Sequence, residues 1–150
     1  MKTDLDRIER HITINASAER VWDLISIPGW FINDGTIIDH TIETRGEVHI
    51  VHDPVHGKFK LTTVELDKPR YAAFRWHTDT TRLDDSTLVE FWIEESPQGG
   101  VTLRVIESGF ASLRMSEEQR QLRIKSNKDG WEEELIAARI YLTGSDDDDA

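Results

Sequence analysis

Residues 116–142 read SEEQRQLRIKSNKDGWEEELIAARIYL, and this stretch decides the fold. Ser116 is a good helix N-cap, and Gln119 three residues later completes a capping box in which side chains satisfy two orphan backbone donors. From Trp131 the apolar residues recur as Trp131, Leu135, Ala138 and Leu142, flanked by Ile136 and Ile140. Glu132, Glu133, Glu134 and Arg139 are read as occupying the rest of the cylinder. The spacing predicts a helix on the order of 40 Å long. A helix of that length with one apolar face needs a broad surface to lie on.

The preceding segments supply that surface as strands. Nearest the helix, Val101, Leu103 and Val105 alternate with Thr102 and Arg104, and Pro97-Gln98-Gly99-Gly100 is a turn. Before it, Val89, Phe91 and Ile93 alternate with Glu90 and Glu94 across 87–95, after a polar loop at 79–85. Further upstream 70–78, 59–66, 46–52 and 37–44 follow at the spacing of an antiparallel meander, the last two joined by a tight turn at Arg45-Gly46. Apolar parity slips between Leu61 and Val64, which predicts a bulge around Thr62-Thr63 that bends the sheet. At the amino-terminal end Ile8, Ile12 and Ile14 alternate with Glu9, His11 and Thr13 as a first strand. Ser17 then caps a short helix carrying Val21, Trp22 and Ile25, and Trp30-Phe31-Ile32 reads as a second short helix or a tight turn.

The pattern is α+β: a curved antiparallel sheet of about seven strands wrapped around a long C-terminal helix, with two short helices after the first strand. This is a helix-grip architecture, in which sheet and helix curvatures match poorly at the centre and leave a cavity. A chain of 150 residues with 37% hydrophobic content suits one domain over 1–150, with an ordered core at about 8–142 and an acidic tail at 143–150. The balance of 18 basic against 29 acidic residues gives a net charge of −11. Such a surface repels phosphate backbones and anionic headgroups, so neither nucleic acid nor membrane is an expected partner. Cysteine is absent, which excludes disulfides, thiolate nucleophiles and Cys-based zinc sites. The charged start lacks the apolar stretch of a secretory signal, so a cytoplasmic location is expected.

Ala18-Glu19-Arg20-Val21-Trp22, Trp30, Phe74-Arg75-Trp76, Glu107-Ser108-Gly109-Phe110 and Gly130-Trp131 with Leu135 occur in an order and spacing that resemble the START-like (SRPBCC) superfamily. That superfamily includes the birch-pollen allergen and polyketide cyclases, and the chain is similar in particular to the branch named for the activator of Hsp-90 ATPase homologue. The resemblance spans roughly 8–142. It implies the helix-grip fold and a ligand cavity. The Gly-Gly pair that usually opens the family's second hairpin stands here as Arg45-Gly46, so that turn is expected to differ. The separate amino-terminal domain of the eukaryotic co-chaperone has no counterpart in these residues, which weighs against chaperone activation.

Glu107 shares the parity of Leu103 and Val105 and is therefore expected to point toward the cavity, where burial would raise its pKa and suit it to proton transfer or ligand binding. It is the candidate catalytic residue. The candidate ligand-binding residues are Trp30, Phe31, Phe59, Tyr71, Phe74, Trp76, His77, Phe91, Leu103, Val105, Glu107, Phe110, Trp131 and Leu135, an aromatic and aliphatic lining with a few polar groups. His49, His52 and His56 with Asp53 raise the question of a metal, but positions 49 and 52 face opposite sides of a strand, so no metal site and no cofactor is expected. Gly130, inside the helix, marks a close contact, an opening to the cavity or a kink.

These residues predict a protein that binds a small apolar or amphipathic molecule between sheet and helix. Two alternatives belong to other classes: a cavity enzyme (cyclase, lyase or hydrolase) using Glu107, and a chaperone or protein-interaction module with Trp92 as an exposed anchor. Monomer and homodimer are both compatible with the sequence.

Overall fold

The computed structural model describes residues 6–78 and 85–145. The polar loop expected at 79–85, apart from its last residue, and the acidic run 146–149 lie outside the described residues. Seven strands, β1 (Arg7–Ile14), β2 (Thr41–Arg45), β3 (Val48–Asp53), β4 (Gly57–Asp67), β5 (Tyr71–His77), β6 (Ser86–Glu95) and β7 (Val101–Ser108), form one sheet. Helix α1 (Ala18–Ile25) follows β1, and helix α2 (Glu117–Thr143) follows β7 after a single 3-10 turn at Phe110–Ser112. The strand order is β1-β7-β6-β5-β4-β3-β2, antiparallel throughout. β2 to β7 are thus a continuous meander. β1 completes it against β7, with Ile8 opposite Glu107 and Ile14 opposite Val101.

Both helices begin where local chemistry says they should. Ser17 Oγ accepts from Arg20 N at 3.2 Å, and α1 buries Val21, Trp22, Leu24 and Ile25. The Ser116 and Gln119 side chains each accept the other residue's backbone N–H at 3.1 Å, and α2 ends at Gly144, whose φ of 80° closes the helix. Across the sheet, alternation puts Leu103 and Val105 of β7, Val89 and Phe91 of β6, Ala72 and Phe74 of β5, and Leu61 of β4 into one buried face. Ile124, Trp131, Leu135, Ala138 and Leu142 of α2 are buried with them. Each large apolar side chain so enclosed contributes about 2–3 kcal/mol.

Four local features differ from the sequence reading. The run 30–32 is not a second helix: Trp30 N bonds to Ile27 O and Ile32 N to Gly29 O, closing two turns. Pro28 cannot donate and Gly29 has a φ of 75°, so no helical ladder propagates through them. β2 starts at Thr41 rather than 37, because His40 turns inward to bond Ile32 O and Asp53. The register shift against β5 falls between Thr63 and Glu65, just past the expected position, and leaves Val64 outside the ladder and 53% exposed. The fourth concerns Glu134, which is buried at 7% exposure rather than facing solvent. It lies three residues after Trp131 and four before Ala138, which puts it on the apolar stripe.

Among the described residues no helix is long and apolar enough to cross a membrane.

Candidate functional site

Trp131, in the middle of α2, is where sheet, helix and the turn after α1 meet. Its ring lies 4.8 Å from Phe31, 5.8 Å from Phe91 and 6.5 Å from Trp76, centroid to centroid. Phe31 also meets Trp76 edge-on at 4.9 Å, and Phe91 touches Trp30 and Phe74. Tilted and edge-on arrangements of this kind place ring edges against ring faces and favour a fixed geometry. Phe31 and Trp131 are almost enclosed, whereas Trp76 is half-buried.

Beneath the Trp131 ring sits Glu107, 1% exposed. Trp131 Nε1 and Asn127 Nδ2 donate to its Oε1 at 2.9 and 3.0 Å, and Thr87 Oγ1 donates to its Oε2 at 2.7 Å. Burial pushes the carboxyl above its ordinary value, while the three donors and the nearby Arg123 pull it down less strongly. The parity argument therefore located Glu107 on the inward face. Its donors Asn127 and Thr87 carried no sequence signal, since each is an ordinary polar residue of its element.

Two openings flank Asn127 and Trp76. One, about 140 Å³, lies between the turn after α1 and the second half of α2, walled by Phe31, Trp76 and Trp131 and rimmed by Asn33, Asn127, Gly130, Glu133 and Glu134. The other, about 290 Å³, lies between the end of β5 and the first half of α2, against Phe59, Trp76, His77, Thr78, Arg123, Ser126 and Asn127. A Cβ built on Gly130 would meet nothing within 4 Å, so this glycine marks an opening and not a close approach of the sheet. The two openings differ in polarity, with the acids Glu133 and Glu134 at one and the Arg123 guanidinium at the other.

Glu134 is the polar group the sequence reading passed over. Burial, with the adjacent Glu133 and Asp34 carboxylates, lifts its carboxyl to about 8 against the opposing pull of the Gly35 amide and Asn33. Its Oε1 has no hydrogen-bond partner among the described residues.

Of the residues proposed from sequence, Phe31, Phe59, Trp76, His77 and Trp131 border the two openings. His77 nevertheless shares the parity of Arg75, and its Nε2 lies 2.8 Å from Thr62 Oγ1. Trp30, Phe74, Phe91, Leu103, Val105, Phe110 and Leu135 are packed in the core behind them. Tyr71 is on the opposite face of the sheet, donating to Glu90 at 2.5 Å and packed against Trp92 at 5.2 Å, because odd positions of β5 point away from Phe74 and Trp76. Burial, and then that hydrogen bond, push its hydroxyl well above the ordinary range.

The histidines near β3 each have their own partner. His49, its pKa lowered by burial, lies between Thr44 Oγ1 and Thr63 Oγ1, while His52 meets Glu43 and His56 meets Asp34. His40 Nε2 must carry a proton, since one of its neighbours is the Ile32 carbonyl at 2.7 Å, and it shares that proton with Asp53 at 2.9 Å. Among the described residues no group of three or more His, Cys, Asp or Glu side chains is placed to hold a metal ion.

A family model described as "Activator of Hsp90 ATPase homolog 1-like protein" matches residues 15–140. Comparison with curated protein sequences returns no match. Among solved structures the chain is similar to protein MLL2253 from Mesorhizobium loti, with a TM-score of 0.68 and 16% identity over 93% of this chain and 98% of that one. It is similar also to protein BH1534 from Bacillus halodurans, with a TM-score of 0.66 and 17% identity over 91% of this chain and 96% of that one. The Aha1 dimer from Colwellia psychrerythraea matches with a TM-score of 0.63 and 16% identity over 91% of this chain and 95% of that one. At these identities the structures speak for the fold.

Proposed function

The chain belongs to the activator of Hsp90 ATPase homolog 1-like family, and from that premise we propose that it binds a small apolar or amphipathic molecule in the cleft between β5 and α2. The observation that carries this reading is the side-chain-free position at Gly130 beside the aromatic wall of Phe31, Trp76 and Trp131. A glycine there costs the helix about 1 kcal/mol relative to alanine, and what it leaves behind is open space next to apolar rings. Desolvation by the rings supplies affinity, and Asn127 at the junction of the two openings supplies a polar contact.

Glu107 serves this reading as a positioning residue. Both of its oxygens accept from donors, and it holds Trp131 and Asn127 in the orientation that shapes the cleft wall.

The test is a titration of 15N-labelled protein with small uncharged alcohols, followed through the tryptophan indole N–H resonances. Selective, saturable shifts of the Trp76 and Trp131 signals would support the cleft. Shifts confined to Trp92, on the other face of the sheet, would reject it.

A further inference from the structure

The acidic end of the cleft brings together features that select a ligand by charge. Phe31, Trp76 and Trp131 present three aromatic rings to one opening, with centroid separations of 4.8, 4.9 and 6.5 Å. Glu134, buried at 7% exposure, lines the same opening, and its Oε1 has no partner among the described residues. Glu133 lies beside it at the rim. Ring faces carry negative electrostatic potential and attract cations, most strongly where water is excluded. A buried carboxylate oxygen without a donor is costly and is relieved by an incoming positive group. An anionic head group would meet the Glu133 carboxylate and, once Glu134 ionises, a second negative charge.

Taking the cleft as the binding site proposed above, we infer that its Glu134 end receives the positively charged head of an organic cation, an alkylammonium or quaternary ammonium group, with the apolar remainder directed along Trp76 toward Phe59. The opening of about 140 Å³ has room for a compact ammonium head. A quaternary head relies on the rings and the carboxylate charge; a primary amine adds a direct bond to Oε1. The raised carboxyl of Glu134 fits the same picture, since the charged neighbours that act on it, Glu133 and Asp34, are acids, and a bound cation would restore its ionised form. The titratable groups facing this end are Glu133 on α2 and, from the turn after α1, Asp34, itself 2.7 Å from His56 of the β3–β4 turn.

Three probes with one tail and different heads test the inference: hexyltrimethylammonium, 1-hexanol and hexanoate, each titrated at about pH 9 with the Trp76 and Trp131 indole signals as readout. The expected order is cation over alcohol by roughly tenfold, with hexanoate weakest. In Glu134→Gln the cation-to-alcohol ratio is expected to fall severalfold, the rings and Glu133 retaining what is left of the preference. Should that variant fail to fold, the wild type decides: between about pH 6 and 9 cation affinity rises severalfold while that of 1-hexanol stays flat. A cation no tighter than the alcohol, an unchanged ratio in Glu134→Gln, or a flat cation profile overturns the inference while leaving the cleft standing. If no probe moves either indole signal, the cleft itself fails and the inference with it.

Discussion

Trp131 Nε1 donates to Glu107 Oε1 at 2.9 Å, a bond that ties the centre of the long helix to the end of the last strand. Three neutral donors converge on this one carboxyl. Glu107→Ala strands all three in the interior and is expected to destabilise the fold by about 3 kcal/mol or more. Glu107→Gln keeps an acceptor for Trp131 and Asn127 and lets the Thr87 hydroxyl reverse its role, so it is expected to cost about 1 kcal/mol or less. Urea denaturation of both variants near neutral pH checks the difference, and equal losses would show that the donors do not depend on the carboxyl.

Glu134 gives stability a pH dependence. Its folded-state carboxyl is held near 8, above the ordinary 4.5, so the folded protein binds this proton more tightly than the unfolded chain does. The associated stability is complete below about 4.5 and is lost as pH rises through about 8. Glu134→Gln, which cannot ionise, should therefore match the wild type near pH 4 and exceed it by on the order of 1–2 kcal/mol near pH 9, allowing for solvent screening. Chemical denaturation across that range provides the measurement, and parallel curves would remove the buried acid from the account.

Asp53 works in the opposite direction. Burial alone would raise its carboxyl, but the His56 and Val55 amides together with His40 outweigh that and hold it below the ordinary 3.8. Its stabilisation is present above that value and is lost as pH falls through the lower folded one. Asp53→Asn replaces one acceptor oxygen by an NH2 group that faces either the two backbone N–H groups at 2.8 and 3.0 Å or, with the amide turned, the His40 Nε2–H, and is expected to destabilise by about 1–3 kcal/mol. Thermal melts above pH 5 should show the loss, with the two proteins converging in strong acid.

Gly130 separates folding from binding. Because a Cβ there meets nothing within 4 Å, Gly130→Ala should stabilise α2 by up to about 1 kcal/mol, whereas Gly130→Leu should fill the opening and abolish the alcohol-induced shifts of Trp76 and Trp131. Paired melting and titration data decide the matter. A leucine variant that binds as well as the wild type would move the ligand elsewhere.

Much of the architecture is readable from short stretches because its determinants are local. Ser116 and Gln119 cap the same helix end they mark in the sequence, and the parity of Ile8, Ile12 and Ile14 sets which side of β1 faces the core. The same parity argument brought Glu107 inward, but applied to β5 it also shows why Tyr71 is not beside Trp76: the two differ by an odd number of positions. Trp30-Phe31-Ile32 was ambiguous between helix and turn because three apolar residues are too few to reveal a period.

The sequence by itself determined the meander, the long capped helix and the apolar face each presents, since these follow from spacing within a dozen residues. Only the tertiary structure decided which aromatics became core and which became wall, and that Glu134, read as a surface acid, ends with an unpartnered oxygen at the edge of a cleft. Phe31, Trp76 and Trp131 meet from a turn, a strand and a helix far apart in the chain. Their convergence depends on the crossing of a curved sheet and a straight helix, a geometry that no local pattern of residues encodes.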